Sequence, residues 1–101
     1  MILHLAVFTF NDDVSADDIA RLTSELTAMA AEIPAIRRYR CGANLRLRPS
    51  PADYAVAALV DDEAGLNAYL DSPQHAAVYE RLLGGMIADR SAVQLVVDEG
   101  L

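Results

Sequence analysis

The sequence predicts an α+β fold with the element order β-α-β-β-α-β, on three observations. Residues 2–10 (ILHLAVFTF) and 54–60 (YAVAALV) are apolar at odd and even positions alike, the mark of strands covered on both faces in the middle of a sheet. Between them, residues 37–48 alternate arginine with apolar residues, the pattern of a half-exposed edge strand whose charge discourages wrong pairing. Helix-start signals follow both central strands, at Ser15 and at Ser72-Pro73.

In the first strand Leu3, Leu5 and Val7 share one face, and His4, Ala6, Phe8 and Phe10 the other. Ser15 with Asp18 three residues later reads as an N-cap with an acidic N3, and Val14 and Ile19 occupy the staple positions. Ile19, Leu22, Leu26, Met29 and Ile33 then recur at 3,4,3,4 spacing, one buried helix face, and Pro34 stops it. In the strand over Arg37–Arg48, Tyr39, Cys41, Ala43, Leu45 and Leu47 face inward, Gly42 marks a bulge, and PSPAD at 49–53 makes the turn. Asp61 or Asp62 caps a short helix bearing Leu66, Tyr69 and Leu70. Ser72 at an N-cap and Pro73 at N1 begin a further helix that runs to about Gly84-Gly85, read as its terminator, or further with a kink, and residues 91–99 form the last strand.

This order is the split βαβ, ferredoxin-like plan: one domain over residues 1–101, with an antiparallel sheet and helices on one face. The helices cover one face of the two central strands. A second copy of the chain, docked on the other face, is the economical cover, so a homodimer through the sheet face is expected.

Composition narrows the partners. The 101 residues carry eight arginines, no lysine and a formal charge of −7, which repels phosphate backbones and disfavours nucleic acid and anionic membranes. Five arginines fall between Arg37 and Arg48, where the alternation reads as a solvated strand face. Cys41 is the single cysteine, so no internal disulfide or thiolate metal cluster is expected. With no basic n-region at the start and no run long enough to span a membrane, the expected setting is cytoplasmic. With two histidines and no HExxH spacing, no metal or cofactor is expected.

The residues that invite chemistry are His75, Tyr69 and His4. Counting from Ser72, His75 falls at N3, where free N–H groups and the positive helix end disfavour an imidazolium and leave a neutral base. Val78 and Leu82 put His75 on the stripe facing the sheet, Tyr69 closes the preceding helix, and His4 lies on the helix side of the first strand. A His-Tyr-His pocket suits proton transfer on a small neutral ligand. Against this stands the bland reading, in which both histidines and Tyr69 only pack and hydrogen-bond in the core.

The sequence resembles the stress-responsive α/β barrel (Dabb) family of the dimeric α+β barrel superfamily over nearly its whole length. The resemblance rests on His4 with Phe8 and Phe10, Gly42 and Asn44, Asp53-Tyr54-Ala55, and above all AYLDSPQH at residues 68–75. It implies a homodimer whose two sheets face each other, with a pocket between each sheet and its helices. In polyketide cyclases of the family, a Tyr and a His at the positions of Tyr69 and His75 remove a proton from the substrate, and a first-strand His matches His4. Those cyclases carry a further His where Val56 stands here. The resemblance therefore implies a binder of a small apolar or phenolic ligand, with polyketide-cyclase-like Tyr/His chemistry. A non-catalytic dimeric stress protein is the alternative, and a cofactorless monooxygenase a further one. Haem degradation, with His75 as the ligand, has the least support.

Overall fold

The computed structural model describes residues 1–98 of the chain. Strand β1 (Ile2–Phe10) is followed by α1 (Ala16–Ala31), β2 (Ile36–Ala43), β3 (Tyr54–Val60), α2 (Glu63–Leu70), α3 (Pro73–Val78), a π-helical turn (Tyr79–Leu83), the short α4 (Gly84–Met86) and β4 (Ile87–Val96). The sheet is antiparallel with strand order β2-β3-β1-β4. The two strands that are apolar on both faces are therefore the central pair, and the arginine-bearing strand is an edge.

Helix α1 begins as its sequence signals predict. Ser15 Oγ accepts from the Asp18 N–H at 3.1 Å, and the Asp18 carboxylate accepts from the Ser15 N–H at 2.9 Å, closing a capping box. Its stripe of Leu22, Leu26 and Met29 is buried, and these side chains join Phe8, Phe10, Tyr54, Val56 and Ala58 of the sheet in one core. The Tyr54 hydroxyl meets Thr23 Oγ1 of α1 at 2.7 Å, so even the core's deepest phenol is satisfied.

The other sheet face is apolar along its middle. Register places Leu3 beside Leu59 and Leu95, Leu5 beside Ala57 and Val93, and Val7 beside Ala55 and Ser91. Val7, Val93 and Leu95 stay 40–51% exposed, and Arg38 and Arg40 of β2 flank the stripe.

Three expectations are corrected. Strand β2 stops at Ala43, not Arg48: Asn44 Oδ1 accepts from the Arg46 N–H at 2.9 Å, and Arg46 turns into the left-handed region at φ 60. Leu45 and Leu47 therefore point into solvent, about 80% exposed. Asp53 fastens the returning loop, since its carboxylate accepts from the Phe10 N–H at 2.7 Å and pairs with Arg46. Gly42 makes no bulge; it pairs in register with Ala55, and the irregularity lies between Ile36 and Arg38.

The third correction concerns Gly84-Gly85, which sit inside the last helical turn instead of ending it, so that β4 starts at Ile87 and not at Ser91. The last expected strand residues, Val97 and Asp98, lie beyond β4, and Glu99 falls outside the described residues. In the π-helical turn the Gly84 N–H donates to the Tyr79 carbonyl, five residues back. A Cβ on Gly84 would stand 2.9 Å from that oxygen and 3.0 Å from the Tyr79 ring, whereas one on Gly85 would meet nothing within 4 Å.

Two predictions follow from packing, each read by chemical denaturation. Leu22→Ala, emptying a fully buried site, costs about 3 kcal/mol. Gly84→Ala destabilises by roughly 1–3 kcal/mol through overpacking, while Gly85→Ala, with open space at its Cβ, is neutral or gains up to about 1 kcal/mol from helix propensity. Equal effects at the two glycines would contradict the close approach to Tyr79.

Candidate functional site

Strand β1 and the consecutive helices α2 and α3 bring His4, Tyr69 and His75 together. Tyr69, on the last turn of α2, is buried to 3% exposure. One residue after the Asp71 C-cap, Ser72 opens α3, and its Oγ accepts from the His75 N–H at 3.1 Å, fixing His75 at N3. The tight α2–α3 junction turns the two rings onto each other, with centroids 5.3 Å apart and planes at 88°. His4 reaches the same Tyr69 ring from β1, at 6.0 Å and 79°. Tyr69 is thus held edge-to-face by an imidazole on each of two sides, a favoured aromatic geometry.

A third ring completes the group. Tyr39 of β2 stands 6.3 Å from Tyr69 at 88°. The period-two pattern put Tyr39 on the inward face, yet an aromatic on a buried strand face signals packing as readily as function. Gln94, from β4, was missed as well: its Nε2 lies 3.0 Å from His4 Nδ1. With the amide donating, His4 Nδ1 is the acceptor and the ring proton sits on Nε2. Its trace in the sequence was faint, one neutral polar side chain in the apolar run AVQLVV.

Electrostatics keep both imidazoles neutral. Burial lowers the pKa of His4, and the Arg90 guanidinium and His75 lower it further. His75 is likewise lowered first by burial and then by Arg90, against an opposing pull from Asp71. The neutral His75 expected from the helix start therefore owes its state chiefly to desolvation. Burial raises Tyr69 above the ordinary phenol value, so it carries its proton at neutral pH. The cluster thus sets a protonated hydroxyl beside one neutral imidazole able to take a proton, His75, and a second, His4, whose acceptor nitrogen Gln94 occupies. Such a pairing is suited to moving one proton on and another off a neutral molecule.

The helices leave β4 exposed from Ala88 to Val96, including Arg90 and Gln94 on the face that carries His4. Surface depressions of about 320–600 Å³ lie against the α3 N-terminus and along β2, lined by residues other than His4, Tyr69 and His75. Among the described residues no three His, Cys, Asp or Glu side chains gather as a metal site would require, and no helix is long and apolar enough to cross a membrane.

The sign of the pH dependence follows from the lowered histidines. The unfolded chain takes up protons near pH 6.5 while the folded chain resists them, so their contribution is complete above pH 6.5 and is lost as pH falls below it. The lowered carboxyls of Asp18, Glu25 and Asp53 act only near and below their ordinary values of 3.8 to 4.5. Denaturation between pH 7 and 5 should therefore show the parent losing stability that a His4→Gln/His75→Gln variant does not lose. Proton NMR of the imidazoles should place both midpoints below 6.5, and a midpoint above it would contradict the buried arrangement.

Comparison with known proteins fits this architecture. An uncharacterised protein of Streptomyces coelicolor is 35% identical over 79 residues, which are 76% of this chain and 81% of that protein. A dimeric ferredoxin-like protein of unknown function from Thermobifida fusca superposes with a TM-score of 0.87 at 38% identity, over 95% of this chain and 90% of the other. The hydroxynitrile lyase of Passiflora edulis shares the fold, with a TM-score of 0.81 over 97% and 94% of the two chains, at 12% identity. The stress responsive A/B barrel domain matches residues 2–97, and the chain belongs to that family.

Proposed function

We propose that the protein is a homodimer joined through the outer sheet face, and that Tyr69, His75 and His4 form an acid–base site for a small, largely apolar ligand bearing a phenol or an enolisable carbonyl. Tyr69 donates a proton to the ligand oxygen, His75 accepts one from carbon or hydroxyl, and His4, held by Gln94, orients the ligand. The observation that carries this reading is the buried Tyr69 ring set edge-to-face against two imidazoles that burial and Arg90 keep neutral. Entry is over Gln94 and Arg90. The dimeric state of the Thermobifida fusca relative and the bare apolar stripe support the association. A protein named as a lyase on the same fold supports an enzymatic use of it, and nothing finer passes across 12% identity. The half-buried, unpaired Cys41 accords with a reducing, cytoplasmic setting.

One observation favours a second reading, a non-catalytic dimer: His4 and Tyr69 are only 5% and 3% exposed, as packed core residues are. The two readings separate with 4-nitrophenol as probe, whose absorbance reports both binding and ionisation. The acid–base reading predicts saturable binding that His75→Ala and Tyr69→Phe each weaken roughly tenfold or more, the worth of one charge-assisted hydrogen bond. Equal binding by all three proteins, or none at millimolar probe, would sink it and leave the non-catalytic dimer.

A further inference from the structure

The Tyr39 hydroxyl has no hydrogen-bond partner among the described residues, although its oxygen is shut away from solvent. Such orphans are rare in folded proteins, and each costs stability that a phenylalanine would not. Two phenols bear on it: Tyr54, whose hydroxyl is engaged with Thr23 Oγ1, and Tyr69. The Tyr39 ring stands edge-on to Tyr69, and the two hydroxyls influence each other without reaching hydrogen-bond geometry. Cys41, the other titratable group that bears on both, is held toward α1 by weak contacts to Thr27 Oγ1 and the Thr23 carbonyl.

We infer that Tyr39 is a positioning residue whose idle hydroxyl donates to the Tyr69 oxygen once Tyr69 has given up its proton. The inference rests on the acid–base reading above and deepens it toward ligands with an enolisable carbonyl. In the step concerned, the Tyr69 O–H bond breaks and its proton joins the ligand carbonyl oxygen. The electron pair of the adjacent C–H bond becomes the C=C bond of the enol, and that proton goes to His75. The products are an enol, an imidazolium and a Tyr69 phenolate. Tyr69 is buried among rings beside the imidazolium and the protonated Nε2 of His4, and a buried phenolate oxygen is stabilised by each further donor it gains. Tyr39 O–H supplies one, and the unpaired state in the free protein is strain released only when charge appears.

The test needs no substrate. In protein carrying 3-fluorotyrosine, whose phenol is more acidic, fluorine NMR follows each tyrosine's titration, and Tyr69→Phe assigns the Tyr69 signal. Replacing Tyr39 by Phe should raise the Tyr69 midpoint by about one pH unit or more, the loss of a hydrogen bond to a charged group. The same variant should be as stable as the parent or more so, because it removes an unpaired buried hydroxyl. An unmoved or lowered Tyr69 midpoint would overturn the inference whatever the ligand does. A raised midpoint in a protein whose 4-nitrophenol binding ignores Tyr69→Phe would uphold the tyrosine pairing and reject the acid–base reading beneath it.

Discussion

The rest of this structure depends on two strands that are apolar on both faces and that the helices cover on only one. Strands β1 and β3 pair through seven registered positions at the sheet's centre. On their helix side Ala6, Phe8, Phe10, Tyr54, Val56 and Ala58 pack beneath α1. On the other side Leu3, Leu5 and Val7 lie in register with Leu95, Val93 and Ser91, and Val7, Val93 and Leu95 stay 40–51% exposed while Leu3 and Leu5 are half-buried. Contiguous apolar surface of this kind marks an association site. Arg38 and Arg40 at its border give the stripe a charged rim, as interfaces between proteins commonly have.

The same constraint creates the site. His4, Tyr69 and His75 all lie on the helix side of the sheet, and there the connection after β3 covers what α1 leaves open. It does so with two short helices broken at Asp71-Ser72. That break delivers Tyr69 from the end of one helix and His75 from the start of the next into a single contact, which a continuous helix would not bring about from six residues apart. His4 meets them because it shares the helix-side face of β1 with the core phenylalanines.

Much of the fold was legible because it follows from periodicity and caps. The two-faced strands, the Ser15 capping box, the Leu22-Leu26-Met29 stripe and the Ser72-Pro73 helix start are local patterns with local causes. The meeting of His4, Tyr69 and His75 could be anticipated from facing alone. Illegible were features set by contacts across the chain. Leu45 and Leu47 kept the strand's alternation, but the Asn44 turn and the Asp53 anchor ended the strand before them. Gly84 looked like a helix terminator because the sequence cannot show the Tyr79 carbonyl standing 2.9 Å from where a Cβ would be. Gln94 and Tyr39 joined the site only through strand register and a ring contact, neither of which leaves a spacing signature.

The central claim, that a second copy of the chain covers the outer sheet face, is tested most directly by native mass spectrometry of gently purified protein beside its Leu5→Asp variant, which places a charge in the middle of the apolar stripe. The account predicts twice the chain mass for the parent at micromolar concentration and the single-chain mass for the variant. A parent that flies as a single chain, or a variant that remains a dimer, would show that the apolar face is not where two copies meet.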